Sequence, residues 1–409
     1  MSSRLPERLN TPVARTSQFY FVLLTVMAVS NPFLPIWLAG KGLSPEQIGI
    51  VNAAPYFIVI VLNQLIGRIA DKASDWRLTI VIGACAAAVP PLLLFFVHDF
   101  WGILIVWSLT ILPFVATGPV IDAAAIRMAR RLGADFAHIR VWGSIGNVIA
   151  TLLAGLLLDV WGLIVFLPLL AAVSLIRALV SLRLPLFRTP AAEATTTAQA
   201  KPRRRSPLVA TRSSGILRPW FLLPVVGVAL LHSSHMMQVG FGSLLWQQQG
   251  VPDWAIGVLW ALSPGGEIVM MFLFARVAKR FSARYLILAA AVFTVIRWVA
   301  FGFDPPLWGL FLLQAMNMVT FGLSYLGVVN FIANWTSDEI AAEAQGFFQG
   351  VRQVGTVAAL VGFGWLMART GAGAYFGAAA MALVGAVLTI VSLLLMPLRH
   401  ELRQRQAHQ

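Results

Sequence analysis

The chain has 409 residues, of which 59% are hydrophobic and 11% charged, and its formal net charge is +14. A soluble domain of this length needs far more charge to cover its surface, so a water-soluble globular protein is excluded. The single cysteine, Cys85, rules out a disulfide framework or a thiolate metal site. No Gly-xxxx-Gly-Lys-Ser/Thr nucleotide loop and no His/Glu metal motif is present, which speaks against an ATP-driven pump.

From residue 17 to 396 apolar stretches follow one another almost without a gap. A bilayer crossing takes roughly 20 mostly apolar residues, and hydrocarbon demands that each backbone polar group be paired within its own segment. The chain therefore reads as an all-α membrane protein with twelve transmembrane helices. They lie near residues 17–39, 45–70, 77–97, 101–129, 137–158, 162–182, 219–247, 254–278, 285–303, 307–333, 341–368 and 374–396. The first stretch is long and lacks a small-residue cleavage pattern, so it reads as a retained span. Ser44 before Pro45 marks the start of the second, with a capping side chain and a proline at the first helical position. Prolines and glycines punctuate the spans at Pro55, Pro90-Pro91, Pro113, Gly118-Pro119 and Pro264-Gly265-Gly266, where kinks or breaks are expected. Trp37, Trp101, Trp161 and Trp246 fit interfacial belts, and Arg177 is expected to snorkel from the inner end of the sixth span.

Between the sixth and seventh spans, residues 184–218 include an Ala- and Thr-rich run at Ala191–Ala200 and the basic residues Lys201 and Arg203–Arg205. This reads as a flexible cytoplasmic linker. It joins a six-helix half at 1–183 to a second at 219–409, which ends in a cytoplasmic tail. With the N-terminus inside, nearly all Lys and Arg fall on the cytoplasmic side. The exceptions are Lys41 and Arg369 outside, and Arg140, Arg177, Arg297 and Arg352 within spans. This positive-inside bias places both termini in the cytoplasm. It explains the basicity by topology and anionic lipid, without nucleic acid. The halves also repeat. Trp37, Gly42, Ser44-Pro45-Glu46-Gln47-Ile48-Gly49 and Pro55 are echoed by Trp246, Gly250, Pro252-Asp253-Trp254-Ala255-Ile256-Gly257 and Pro264. Two six-helix halves in a parallel repeat resemble the major facilitator design. Gly67-Arg68-Ile69-Ala70-Asp71-Lys72 resembles the start of the facilitator loop between spans two and three. Gly67, Asp71 and Lys72 are then the parts of a conformational latch, although the usual Gly-Arg-Arg continuation is replaced by Ala73-Ser74-Asp75-Trp76-Arg77.

Two acids lie deep in spans, Asp122 and Glu267, and an intramembrane charge is a functional hypothesis by default. Asp122 and Arg140 straddle the turn Arg130–Asp135, so a helical hairpin sets them at one depth, roughly 10 Å from the turn. Glu267 and Arg297 straddle the turn Arg280–Arg284 at roughly 18 Å, near the middle of the core. Each pair reads either as a structural ion pair or as a site in which arginine binds substrate and a carboxylate carries the coupling proton. Arg140 and Arg297 are expected to face a central cavity between the halves. Glu267 is favoured over Asp122 as the proton carrier, because it lies nearer the midplane and follows the Pro-Gly-Gly group. Arg352 lies deep in span eleven, and the deep arginines outnumber the deep acids, which suits an anionic substrate. His232 and His235 share one face of span seven. Trp142 and Trp260 are placed to line a cavity.

The strings Pro32-Phe33-Leu34-Pro35-Ile36-Trp37-Leu38 and Gly42-Leu43-Ser44-Pro45-Glu46-Gln47-Ile48-Gly49 resemble the phenylpropionate permease group of the major facilitator superfamily. So do Ile139-Arg140-Val141-Trp142-Gly143-Ser144-Ile145-Gly146, His235 with Gly240-Phe241 and Trp246, Glu267, and Ile296-Arg297-Trp298. A more distant likeness is to lactose permease and other oligosaccharide–proton symporters. By that likeness Asp122 and Arg140 take the place of a sugar-binding pair. Glu267 and Arg297 take the place of a substrate-binding acid and a proton-linked arginine. Asn147 stands where those permeases carry a stacking tryptophan, and Asn317 and Thr320 stand where they carry a histidine and a proton-carrying glutamate.

The reading that follows is a secondary active transporter, a proton-coupled symporter of a small organic anion such as an aromatic acid. The alternatives are a nucleoside– or sugar–proton symporter, a drug–proton antiporter, or, from another class, a non-transporting membrane sensor. Substrate binding is assigned to Arg140, Asp122, Arg297, Arg352, Trp142, Asn147, His235 and Asn317, and proton coupling to Glu267 or Asp122. No nucleophile–base arrangement marks an enzyme, and no cofactor or metal is expected. The partners are a small substrate, protons and membrane lipid. The expected setting is a monomer in a bacterial inner membrane.

Overall fold

This computed structural model describes the backbone of residues 10–72, 75–187, 218–336 and 338–396, but not the side chains of 61–72, 275, 338, 339 and 342. Helices carry nearly all of it, and no strand occurs among the described residues. In chain order they are α1 (Pro12–Gly40), α2 (Pro45–Lys72), α3 (Trp76–Leu93), α4 (Phe100–Leu132), α5 (Phe136–Trp161), α6 (Leu163–Ser181), α7 (Pro219–Gln248), α8 (Asp253–Arg280), α9 (Ala283–Phe301), α10 (Leu307–Trp335), α11 (Asp338–Thr370) and α12 (Ala374–Leu395). Among the described residues 10 stretches are long and apolar enough to cross a membrane. The last of these, Glu343–Leu395, holds both α11 and α12, parted by the turn Gly371–Gly373. With the 28-residue α2, the membrane helices number twelve, as expected from the sequence.

Polar side chains set several of the helix starts. Asp75, Asp99 and Asp135 accept backbone amides at the heads of α3, α4 and α5. At the head of α2 the Gln47 amide donates to Ser44 Oγ (3.3 Å) and the Ser44 amide to Gln47 Oε1 (3.0 Å). This reciprocal cap starts the helix where Ser44-Pro45 predicts it. The sequence repeat has a structural counterpart at the opposite ends. Past α1 and α7 the chain turns through left-handed glycines, Gly42 (φ 85°) and Gly250 (φ 81°). Leu43 then donates back to Leu38, and Val251 to Trp246, so both helices close by the same motif.

The described residues fall into two compact units. The first holds 10–43, 54–187 and 252–258, and the second 44–53, 218–251 and 259–396. Most of the expected linker 184–218 lies outside the described residues. Its first part does not. Leu184 and Phe187 are buried in the core of the first unit with Trp76, Ile80, Met128 and Phe19. The Phe187 amide donates to Asp75 (3.1 Å), and Arg77 donates to the Leu182 carbonyl (2.8 Å). Arg177 does not snorkel as expected. It is 2% exposed and lies with its guanidinium 5.0 Å from the Phe114 ring, where an aromatic face partly replaces water.

The second unit is built around one cation. Arg297 on α9 has no accessible surface, and a guanidinium offers five N–H donors. All of them are taken. Nε donates to the Leu313 carbonyl (2.7 Å), one terminal nitrogen to Asn317 (3.1 Å) and Thr320 (3.3 Å), and the other to Gln238 (2.8 Å) and Gln314 (2.5 Å). Trp298 and Phe301 pack at 4.7 Å and 5.4 Å. The acceptors flank two widened helical turns, Gln238–Gly242 in α7 and Met318–Leu323 in α10. Such turns leave backbone groups out of register and need external support.

The structure departs from the sequence expectations in three further places. The break at Pro264-Gly265-Gly266 is not formed, because α8 runs through it as one helix. Proline removes only one hydrogen bond, and in an apolar setting the helix keeps the rest. The irregular turns lie instead in α7 and α10, where no proline marks them. Trp37 and Trp246 are buried and do not form belts. Trp246 stacks on Phe301, and Trp37 packs on Phe166. Trp101 and Trp161 are well exposed, as belts require. Arg297 does not face a cavity, because its surroundings enclose it on all sides.

Removing the cation should leave buried acceptors orphaned. We expect Arg297→Gln to lose about 3 kcal/mol of stability or more, seen as a lowered midpoint of thermal unfolding in detergent. Arg297→Lys should fall nearly as far, since one ammonium cannot reach acceptors spread around a planar fork. An unchanged midpoint for Arg297→Lys would show that the fork geometry is immaterial.

Candidate functional site

Helices α1, α2, α4 and α5 of the first unit line a cavity of 350 Å³, at the small end of ligand pockets. On α1 the residues facing it, Leu23, Leu24, Met27 and Asn31, recur at helical spacing. Tyr56 comes from α2. On α4, Gly118 and Asp122 lie one turn apart, and Arg140 enters from α5. A Cβ built on Gly118 meets nothing within 4 Å, so the glycine borders open space. The lining is mostly apolar with a few convergent polar groups, the usual make-up of a small-molecule site.

The close approach of α1 and α5 makes this possible. A Cβ on Gly143 would stand 3.4 Å from the Tyr20 carbonyl, and one on Gly146 would collide with the Phe21 carbonyl. Small residues at such crossings let membrane helices touch backbone to backbone. Tyr20 is thereby set beside the α4–α5 pair. Its hydroxyl donates to Asp122 Oδ1 at 2.5 Å. Arg140 Nε stands 3.9 Å from the same oxygen, beyond hydrogen-bond length. The guanidinium lies 5.7 Å from the Tyr20 ring. Asp122 and Arg140 thus meet, as the residue count around the hairpin predicts, but Tyr20 has the closer hold on the carboxylate. Both charged side chains remain nearly half exposed, at 45% and 42%.

The second expected pair does not form. Arg297 is satisfied as described, and no ion pair links it to Glu267 among the described residues. Equal depth sets position along two helices but not around them. Glu267 lies half-buried on α8 where that helix crosses the widened turn of α10. A Cβ on Gly266 would stand 3.1 Å from Met318, and one on Gly322 would stand 3.8 Å from Glu267 Cα. His235 and Asn317 belong to the Arg297 network. His235 Nδ1 donates to the Leu231 carbonyl (2.9 Å), since a carbonyl only accepts, and Nε2 then accepts from Thr320 (3.3 Å). His232 bonds Ser324 (3.0 Å) and lies 6.5 Å from His235, centroid to centroid.

The other sequence candidates are scattered. Arg352 on α11 donates twice to Gln349, at 3.0 and 2.7 Å. Trp142 is exposed and packs edge-on against Phe21, and neither it nor Asn147 borders the cavity. Trp260 donates to Ser243 (2.7 Å). The latch side chains Gly67, Asp71 and Lys72 lie outside the described side chains. Among the described residues no group of His, Cys, Asp or Glu could hold a metal. Sequence reasoning missed Tyr20, Gln238 and Gln314. The available signal was that a hydroxyl or amide inside an apolar span must find a partner.

Comparison with known proteins accords with this architecture. The pattern of the MFS_1 like family matches residues 13–362. The "Probable 3-phenylpropionic acid transporter" of Escherichia coli (strain K12) is 28% identical over 373 residues, covering 89% of this chain and 93% of that one. The maltose permease of Geobacillus stearothermophilus is 24% identical over 337 residues, covering 81% and 82%. Among solved structures, the nucleoside transporter NupG superposes with a TM-score of 0.80 at 18% identity, covering 94% of this chain and 99% of its own. A likeness of that identity shows the fold. The chain belongs to the MFS_1 like family of the major facilitator superfamily, and it is a secondary transporter.

Proposed function

We propose that this transporter carries a small organic anion, an aromatic acid being the favoured class, together with protons. The observation that carries the reading is the cavity of the first unit, where the half-exposed Arg140 has no hydrogen-bond acceptor among the described residues. A guanidinium is the natural partner of a carboxylate. The apolar lining from Leu23, Leu24, Met27 and Phe114 suits the rest of an aromatic acid. The similarity to the 3-phenylpropionic acid transporter supports the same class. A second reading, a sugar or nucleoside substrate, is favoured by Asn31, Asp122 and Tyr56 in the lining and by the likeness to maltose permease and NupG. The distribution of Lys and Arg supports cytoplasmic termini, and we further propose a monomer in a bacterial inner membrane.

For proton coupling we favour Glu267 over Asp122. Glu267 has no hydrogen bond or ion pair among the described residues, whereas Asp122 is held by Tyr20. A carboxylate without a cation partner can take and release a proton as its surroundings alternate between water and apolar packing.

Proteoliposome uptake with an imposed pH gradient tests these readings. Labelled 3-phenylpropionate should accumulate, while maltose and uridine should not. Accumulation of uridine or maltose alone would select the second reading. Arg140→Lys should weaken uptake about tenfold, because lysine lacks the planar fork. Gly118→Leu should block uptake by filling the cavity, with little change in thermal stability, since nothing lies in its path. Normal uptake by that variant would move the site elsewhere. Glu267→Gln should abolish gradient-driven accumulation yet keep substrate exchange. If it still concentrates substrate normally, Asp122 becomes the proton carrier.

A further inference from the structure

We propose that Tyr20 is the positioning residue that gives the first unit's cavity its preference for anions, by holding Asp122 out of hydrogen-bond distance so that the Arg140 fork can bind a ligand. This rests on the reading of that cavity as the substrate site. Left alone, an aspartate and an arginine at one depth on neighbouring helices would pair, and a bidentate pair would consume the fork. Here they form only a loose ion pair, with no hydrogen bond between them. The carboxylate oxygen nearest the guanidinium is the one that accepts the Tyr20 hydroxyl at 2.5 Å, and the arginine nitrogen is left at 3.9 Å.

Two features show that this arrangement is built in. Tyr20 is fully buried, and the cavity is lined by Asp122 and Arg140 but not by Tyr20. The tyrosine therefore stands behind the site and acts through its neighbours. Its position is fixed by the contact of α1 with α5, where Gly143 lies against its own carbonyl and Gly146 against Phe21. The ring sits on the core of the first unit and packs edge-on against Phe136 at 6.2 Å. Its face lies 5.7 Å from the Arg140 guanidinium, a cation–π distance. One side chain thus supports the cation with its ring and engages the acid with its hydroxyl. The cavity then presents, beside a restrained carboxylate, a guanidinium with no hydrogen-bond acceptor among the described residues.

Tyr20→Phe keeps the ring and removes only the hydroxyl. Asp122 should then swing onto Arg140, and an incoming anion must displace it. The test uses purified protein in detergent and two readouts. The first is equilibrium binding of labelled 3-phenylpropionate. The second needs no substrate. It is the rate at which phenylglyoxal modifies Arg140, read by peptide mass spectrometry. For Tyr20→Phe we expect Kd to rise about tenfold, the value of one lost charge-assisted contact, and the labelling rate to drop several-fold. The double variant Tyr20→Phe/Asp122→Asn should regain both values of the Asp122→Asn single variant, because the effect runs through Asp122. A merely structural role would not be rescued in this way. Asp122→Asn by itself should label like the wild type, since the carboxylate is already restrained, and a large rise in its labelling overturns the proposal even where Tyr20→Phe does not fold. Unchanged Kd and labelling in folded Tyr20→Phe also overturn it. If Arg140→Gln binds 3-phenylpropionate as well as the wild type, the reading of the site fails. The labelling rates then decide alone whether Tyr20 keeps the guanidinium free.

Discussion

Hydrocarbon offers no water to a polar group, and the charged side chains within the spans have to be understood against that constraint. Two arginines answer it in opposite ways. Arg297 places all its donors on neutral oxygens and has no accessible surface. Arg140 has no acceptor within hydrogen-bond distance among the described residues and keeps nearly half its surface open to a cavity. The first arrangement makes a cation into a structural joint. The second leaves a cation ready for a ligand. Composition does not separate the two, because both are lone arginines in apolar spans.

The joint has a mechanical setting. The Gln238–Gly242 turn of α7 and the Met318–Leu323 turn of α10 depart from regular helix, and acceptors of Arg297 flank both. The α10 turn also meets α8 through Gly266 and Gly322, beside Glu267. The acid on α8 and the cation on α9 therefore touch the same stretch of α10 without touching each other. Irregular backbone at membrane depth is tolerated where protein surrounds it, and here the guanidinium network supplies much of the surrounding.

The first unit follows a different logic. Its helices are held by small residues and by aromatic packing, with Gly143 and Gly146 admitting the backbone of α1. The polar groups gather where α1, α4 and α5 meet. Tyr20, buried behind the cavity, touches both members of the charged pair. The two units thus share a repeated outline, visible in the Gly42 and Gly250 turns, while their polar interiors have diverged.

Much was legible in the amino-acid sequence. Apolar length alone determines twelve helices, because the backbone in lipid has no other way to pair its polar groups. Ser44 and Gln47 determine the start of α2, because short-range capping needs only local chain. The repeat around Gly42 and Gly250 is local in the same sense, and the meeting of Asp122 with Arg140 follows from counting residues around one hairpin. What the sequence could not decide is direction around each helix. Depth placed Glu267 level with Arg297, yet rotation about the helix axes turned the arginine toward Gln238, Gln314 and Asn317 and left the acid apart. The widened turns in α7 and α10, the burial of Trp246 and Arg177, and the hold of Tyr20 on Asp122 likewise belong to tertiary structure. Each depends on which faces of distant helices meet, and a periodic pattern carries no record of that when nearly every face is apolar.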